Sequence, residues 1–224
     1  MWTPSISKSE PRFLARSITA KIEAMIDLKE GDVVLDIGSN DGTLLRSYSV
    51  PGLITVGVEP ADNLVEDGKR DLTYHIHDFW YNEVFAKTVN QKAKIITAIG
   101  MFYDMEDPNQ FIADAAKVLT EDGVFIAQLM CLKNMLDSND VGNICHEHLE
   151  YYGLAQIIWI VEKAGLRIVN VELNDVNGGS YRIYCKKLVN GSIKLPNEDP
   201  LKLMKGFIKR AKKNKKDIVK FINN

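Results

Sequence analysis

The chain has 224 residues, a formal charge of −2, 46% hydrophobic and 26% charged residues, and three cysteines. That length supports one domain with an appendage and a full core, and the composition excludes a disordered or disulfide-stapled class. No run of about 20 apolar residues suits a membrane span.

Residues 1–10 lack the basic-then-apolar order of a signal peptide. Cys131, Cys145 and Cys185 show no metal-ligand spacing, so a reduced, cytoplasmic protein is expected. Residues 201–224 hold nine Lys or Arg against one Asp, a net charge of +8, so the other 200 residues carry −10. An acidic body argues against nucleic-acid binding by the main domain.

In chain order, residues 9–28 predict a helix. Ser9 can cap it, Pro11 sits near its start, and Leu14, Ile18, Ile22 and Met25 form one apolar face. Val33, Val34, Leu35 and Ile37 predict a strand buried on both faces. Gly38-Ser39-Asn40-Asp41-Gly42 reverses the chain, and Thr43–Arg46 restarts as a helix. Further strands are expected at 53–58, 72–76, 94–99 and 124–130. Between the last two, Pro108 opens a helix with Phe111, Ile112, Ala115, Val118 and Leu119 apolar, closed by Asp122-Gly123. Five strand–helix units in a row predict a doubly wound parallel sheet. A helix over 153–164 leads to strands at 166–173 and 181–187, joined by the loop 177–180 as an antiparallel hairpin. Residues 200–222 predict a basic helix with Leu201, Met204, Ile208, Ala211, Ile218 and Phe221 or Ile222 on one stripe, broken by Lys215. Docking, oligomerisation or a membrane surface are its open readings.

The glycine turn carries chemistry. Its glycines are four apart, not in the Gly-x-Gly-x-x-Gly spacing of a pyrophosphate loop, and it carries Asp36 and Asp41. Two carboxylates repel a phosphate but suit a ligand with a cation and hydroxyls. Glu59 lies about 20 positions on, at a strand end, where a carboxylate can accept two ribose hydroxyls. The pattern Asp-x-Gly-x-x-x-Gly resembles the first motif of class I S-adenosylmethionine (SAM)-dependent methyltransferases. That resemblance implies an α/β, Rossmann-like fold with a seven-stranded, mostly parallel sheet ending in an antiparallel hairpin. It implies SAM as cofactor and a pocket built from Asp36, Gly38, Asn40, Asp41, Glu59, Pro60, Asp78, Phe79, Ile99 and Gly100. Asp78 would accept the adenine amino protons, and Phe79 or Trp80 would cover the ring, the alternative being that both aromatics are core.

The second constellation is Asn143-Ile144-Cys145-His146-Glu147-His148-Leu149-Glu150-Tyr151-Tyr152. Adjacent residues do not put both imidazoles on one face, and no His-Glu-x-x-His spacing exists, so no metal is expected and acid/base work fits better. The stretch resembles the His-Glu-His-Leu-x-Tyr-Tyr signature of the nucleotide-sugar C-methyltransferases, and Gly178-Gly179-Ser180-Tyr181-Arg182 resembles their Gly-Gly-Ser-x-Arg. The resemblance implies 3-C-methylation of a 4-keto-6-deoxyhexose nucleotide. His148 would be the base, Glu147 would orient it or bind sugar hydroxyls, and His146 would join the catalytic group. Tyr103, Asn143, Tyr151, Tyr152, Ser180 and Arg182 would contact substrate, with Arg182 alternatively holding the loop to a core carboxylate. Two positions depart from the family: Cys145 stands where a tyrosine is usual, and a histidine common after the fourth strand is replaced near Asp104. The expected division is a cover helix at 1–30, a methyltransferase domain at 31–190 and the basic helix at 191–224. The zinc module and nucleotide-recognition domain of larger members are expected to be absent. The basic helix is the expected contact for an oligomer or partner domain.

Overall fold

The computed structural model describes residues 9–187 and 199–223. The side chains of Ser9, Pro11 and Asn177, for which the sequence predicts capping and turn roles, lie outside the described set, as does the expected boundary near 191. The strands form one seven-stranded sheet in the order β3-β2-β1-β4-β5-β7-β6. They are β1 Val33–Ile37, β2 Ile54–Val58, β3 Tyr74–Ile76, β4 Ala93–Ile99, β5 Leu119–Met130, β6 Leu166–Asn174 and β7 Ser180–Lys187. β1 pairs in parallel with β2 and β4, β2 pairs in parallel with β3, and β6 pairs antiparallel with β7. This is the predicted mostly parallel sheet with its terminal hairpin. The described residues divide into two compact units, one within 1–99 and 113–126, the other within 100–112 and 127–224.

In the first unit every residue of β1 is buried, as its β-branched run requires. The chain leaves β1 toward β2 on one side and returns to β4 on the other. This reversal makes a switch point, and sheets of this kind bind ligands at the strands' C-terminal ends there. Helix α1 (Ser9–Met25) buries Ile18 and Ile22, worth roughly 2 kcal/mol each. It is pinned beyond β1: Glu23 accepts the backbone N–H groups of Ser49 (2.6 Å) and Val50 (3.2 Å), and Thr19 donates to the Ser47 carbonyl.

The helix expected from Thr43 is only a 3-10 turn, Leu45–Ser47. The cause is local: Asp41 accepts both the Thr43 N–H and its hydroxyl, at 2.9 Å each, a side-chain turn that competes with helical bonding. Two short helices, α2 (Val65–Lys69) and α3 (Asn82–Thr88), flank β3, which is two residues shorter at its start than expected. Helix α4 spans Pro108–Val118, and β5 begins at Leu119 rather than 124. The strand start is explained by the fully buried Leu119 and by the Lys94–Asp122 ion pair at its edge.

In the second unit, α5 (Leu132–Ser138) was not foreseen; it ends at Asn139, which takes the left-handed conformation. Helix α6 (Leu154–Lys163) buries Leu154, Ile157, Ile160 and Val161. Helix α7 (Pro200–Ile222) starts at Asp199, whose carboxylate caps the Lys202 N–H at 3.0 Å. It packs on α5, with Arg210 donating to the Leu136 carbonyl, while Leu201, Met204, Ile208 and Ile222 stay exposed. Among the described residues no helix is long and apolar enough to cross a membrane.

Candidate active site

The glycine turn leaves β1 through three positive-φ residues, Gly38 (70°), Asn40 (51°) and Gly42 (76°). Glycine suits the first and third because it has no Cβ penalty there. Glu59, at the end of β2, is buried and holds the turn from below. One carboxylate oxygen accepts the Asn40 N–H and the other the Ala61 N–H, each at 3.0 Å. Ser39 is also buried, and its hydroxyl has no partner.

Asp36 is buried on β1, and Thr97 of β4 donates to it at 2.6 Å. Burial raises its carboxyl to about 7; the Thr97 bond opposes the shift and Glu59 adds to it. Asp41 is taken up by Thr43, as described. Asp78 accepts the Phe79 N–H at 2.8 Å; the Phe79 ring is 67% exposed, whereas Trp80 is core. Pro60 contributes its carbonyl to His77 Nε2 at 3.1 Å. Ile99 is the last residue of β4. Gly100, with a φ of 74°, accommodates the turn that follows, and its N–H donates to the Gln128 carbonyl.

The donor set fits SAM. A positive-φ glycine turn, a carboxylate whose two oxygens each accept one N–H, and a buried acid suit a ligand with hydroxyls and a cation.

In the second unit the His-Glu-His stretch is an irregular loop. His148 is half-buried, and its Nδ1 lies 2.9 Å from the Asn143 carbonyl oxygen. A carbonyl only accepts, so Nδ1 carries a proton, and in the neutral ring the lone pair is therefore on Nε2. The Tyr151 hydroxyl donates to the same carbonyl at 3.0 Å, and the Tyr103 ring stands edge-on to the imidazole at 4.8 Å. Burial pushes the Tyr103 phenol up to about 12. His146 and Glu147 point elsewhere: their side chains are 91% and 72% exposed and lie 4.0 Å apart. The carbonyl of Asn143, not Glu147, therefore orients His148.

Asp104 was noted in the sequence only as a departure. One of its oxygens is buried without a partner, and burial lifts its carboxyl to about 6, with His148 opposing the shift and Glu147 adding to it.

The two signatures meet through Asp140. Its carboxylate accepts the Gly142 N–H at 2.9 Å and the Asn143 side-chain amide at 2.6 Å. A Cβ on Gly178 would stand 2.7 Å from that carboxylate, and one on Gly179 would stand 2.4 Å from the Asn134 amide. Both glycines also have positive φ, so this pair lets the hairpin loop close on α5 and on Asp140. Ser180 is buried and donates to the Val176 carbonyl at 2.8 Å. Arg182 is buried; its Nε and Nη2 donate to Gln128 at 2.9 and 2.7 Å, and Glu172 lies 3.8 Å from Nη1. The core partner is the Gln128 amide oxygen, where the sequence offered a core carboxylate as the alternative. Tyr152 turns away from His148 and stacks on Phe102 at 5.4 Å.

Sequence reasoning missed Thr97, which a lone threonine in an apolar strand does not advertise, and Asp140, which lies just outside the recognised motif. Among the described residues no group of three His, Cys, Asp or Glu is placed to hold a metal.

Sheet order, glycine turn and donor set define a class I methyltransferase fold, a class whose methyl donor is SAM. The chain belongs to the methyltransferase-domain family, whose model matches residues 11–171. It is 30% identical over 162 residues to the C-methyltransferase NovU of Streptomyces niveus, a match covering 71% of this chain and 39% of that protein. The chain thus spans about two-fifths of the length of this curated relative. Among solved structures, magnesium protoporphyrin IX methyltransferase of Synechocystis, with bound S-adenosylhomocysteine, superposes with a TM-score of 0.61 at 12% identity, covering 83% of this chain and 90% of that one. The methyltransferase bound to the Trm112 activator of Haloferax volcanii gives 0.58 at 16% identity, covering 75% and 89%. At these identities both show the fold alone.

Proposed function

We propose that the chain is a SAM-dependent C-methyltransferase that methylates a nucleotide-linked 4-keto-6-deoxy sugar through an enolate, with His148 as the base. The observation that carries this reading is the bond from His148 Nδ1 to the Asn143 carbonyl, which leaves Nε2 free to take a proton. Carbon becomes nucleophilic only when a proton beside a carbonyl is removed, so a C-methyltransferase needs a base in the correct tautomer. The likeness to NovU supports methylation at carbon.

The bound cofactor supplies an electrophilic sulfonium methyl. Glu59 binds the ribose hydroxyls, Asp36 and the Gly38–Gly42 turn receive the amino-acid part, and Asp78 with Phe79 meets the adenine. On the substrate side, His148 Nε2 takes the α-proton and the electron pair moves onto the ketone oxygen. Tyr103, edge-on to the imidazole, provides a hydroxyl for the developing oxyanion, and Tyr151, whose proton is held by the Asn143 carbonyl, accepts from a sugar hydroxyl. With the cofactor bound, its sulfonium would supply the methyl group for the new C–C bond and leave as the neutral thioether, and positioning would contribute much of the rate. His146 and Glu147 meet sugar hydroxyls from the loop's exposed side. We assign residues 31–190 to this chemistry, 1–30 to covering the site, and 191–224 to contact with a partner domain or second copy.

The test is methyl transfer from SAM carrying a ¹³C methyl to a panel of nucleotide-linked 4-keto-6-deoxyhexoses. A new carbon-bound methyl resonance is expected. An oxygen- or nitrogen-bound methyl instead identifies another small-molecule methyltransferase.

A further inference from the structure

Helix α7 is far longer than the helix it rests on. Its 23 residues extend about 34 Å, against about 10 Å for the seven residues of α5. Its half-buried residues, Leu203, Gly206, Phe207 and Ala211, lie in the first half, where Arg210 bonds the Leu136 carbonyl; every residue from 212 to 223 is exposed. A second apolar row runs beside that contact. Leu201, Met204, Ile208, Ala211, Ile218 and Ile222, with Lys215 in the one remaining place, follow at alternating steps of three and four, the period of a coiled-coil seam. Leu201, Met204, Ile208, Ile218 and Ile222 are exposed. A seam this narrow suits a second helix rather than a broad apolar surface. Lys215, once covered there, needs a carboxylate opposite it.

Charge chooses which helix. Lys202, Lys205, Lys209, Lys212 and Lys216 each stand one residue after a seam position, so a cationic row borders the seam. Asp217, the one carboxylate of α7, is taken by Lys213 at 2.6 Å. Lysines four apart, such as Lys205 with Lys209 and Lys212 with Lys216, repel along the helix and weaken it, a cost that an acidic neighbour removes. Pairing α7 with the α7 of a second copy sets a net +8 against +8, so charge opposes it. None of α1–α6 carries more than two carboxylates, so no described helix of a second copy offers an acidic row.

We propose that α7 is a docking helix for an acidic amphipathic helix of a different protein. The partner's apolar row closes the seam, its carboxylates meet the lysine row, and one of them faces Lys215. This rests on the assignment of residues 191–224 to partner contact and is independent of the methylation chemistry.

The experiment is fluorescence anisotropy, titrating the full chain into a dye-labelled four-heptad peptide with leucine at the three-and-four positions and glutamate on both flanks. Binding on the order of micromolar is expected at low salt, weakening as salt rises. A peptide of the same composition with its leucines on every second residue should bind at least about tenfold more weakly. Ile208→Glu and Ile218→Glu, at exposed positions, should each cost about tenfold or more while leaving the unfolding temperature unchanged. Reversing Lys205 and Lys212 together to Glu should weaken the acidic peptide similarly and admit a peptide with lysine in place of its glutamates. No binding, equal binding of the respaced peptide, or binding that survives both isoleucine variants overturns the proposal. Binding to phosphatidylglycerol vesicles without binding to the peptide assigns α7 to a membrane surface and sinks the partner-contact assignment as well. A dimer that Ile218→Glu dissolves overturns the proposal and keeps that assignment.

Discussion

His148 Nδ1 lies 2.9 Å from the carbonyl oxygen of Asn143, and the Tyr151 hydroxyl shares that oxygen at 3.0 Å. One backbone carbonyl thereby sets the tautomer of the imidazole and the place of a phenol beside it. Under the proposed function the catalytic weight of the His-Glu-His motif falls on its last residue. His148→Gln should lower kcat by about 10²–10⁴-fold, the usual worth of a general base. His146→Gln and Glu147→Gln, both at exposed side chains, should each cost less than about tenfold. Steady-state kinetics of the three variants on one substrate decides between them.

Asp140 holds the Asn143 side chain at 2.6 Å and thereby places the carbonyl that orients His148. Asp140→Ala should lower kcat by about tenfold or more through misplacement of the base, while changing stability by only about 1 kcal/mol. Asp140→Asn, which keeps an acceptor for the Asn143 amide, should restore most of the loss. Urea unfolding of each variant alongside its kinetics separates positioning from folding.

Arg182 and Gln128 test the structural side of the second motif. Gln128→Leu leaves the buried guanidinium without the acceptor that now takes two of its N–H bonds. A loss on the order of 2 kcal/mol in unfolding free energy is expected, because two buried N–H groups lose their acceptor while Glu172 still stands 3.8 Å from Nη1.

Asp36 makes stability depend on pH in a stated direction. Its carboxyl is raised to about 7, above its unfolded value near 3.8, so the folded chain holds its proton more tightly than the unfolded chain does. The stability it contributes is present below the unfolded value and is lost as pH rises through about 7. Asp36→Asn should therefore gain unfolding temperature relative to the parent as pH goes from 4 to 8 in thermal melts without ligand. A cationic ligand should also displace the proton. Calorimetry of S-adenosylmethionine binding near pH 6, in buffers of different ionisation enthalpy, should show proton release that disappears in Asp36→Asn.

How far the sequence carried this reading follows from where the signals are local. The β1 run, the glycine turn and the alternating β7 announce themselves because burial on two faces, a reversal and an edge each demand distinct residue types. The 3-10 turn after β1 was hidden because Thr43-Leu44-Leu45-Arg46 has helical propensity, and only Asp41's side-chain bonds divert it. The His-Glu-His triplet was visible, but its division into one inward imidazole and two exposed neighbours was not. That outcome depends on Asn143, near in sequence, and on Asp140 seated against Gly178, a contact made across about 40 residues of chain. Tyr151 and Tyr152 read alike in sequence; only packing sends one to His148 and the other to Phe102.

The most direct test of the central claim needs no methyl transfer. The protein is incubated in D₂O with a nucleotide-linked 4-keto-6-deoxyhexose and S-adenosylhomocysteine, and deuterium uptake at the carbon beside the ketone is followed by NMR. The account predicts uptake catalysed by the unaltered protein and reduced at least about 100-fold in His148→Gln. Uptake at the same rate in both proteins, or methylation of that carbon with no exchange dependent on His148, would contradict it.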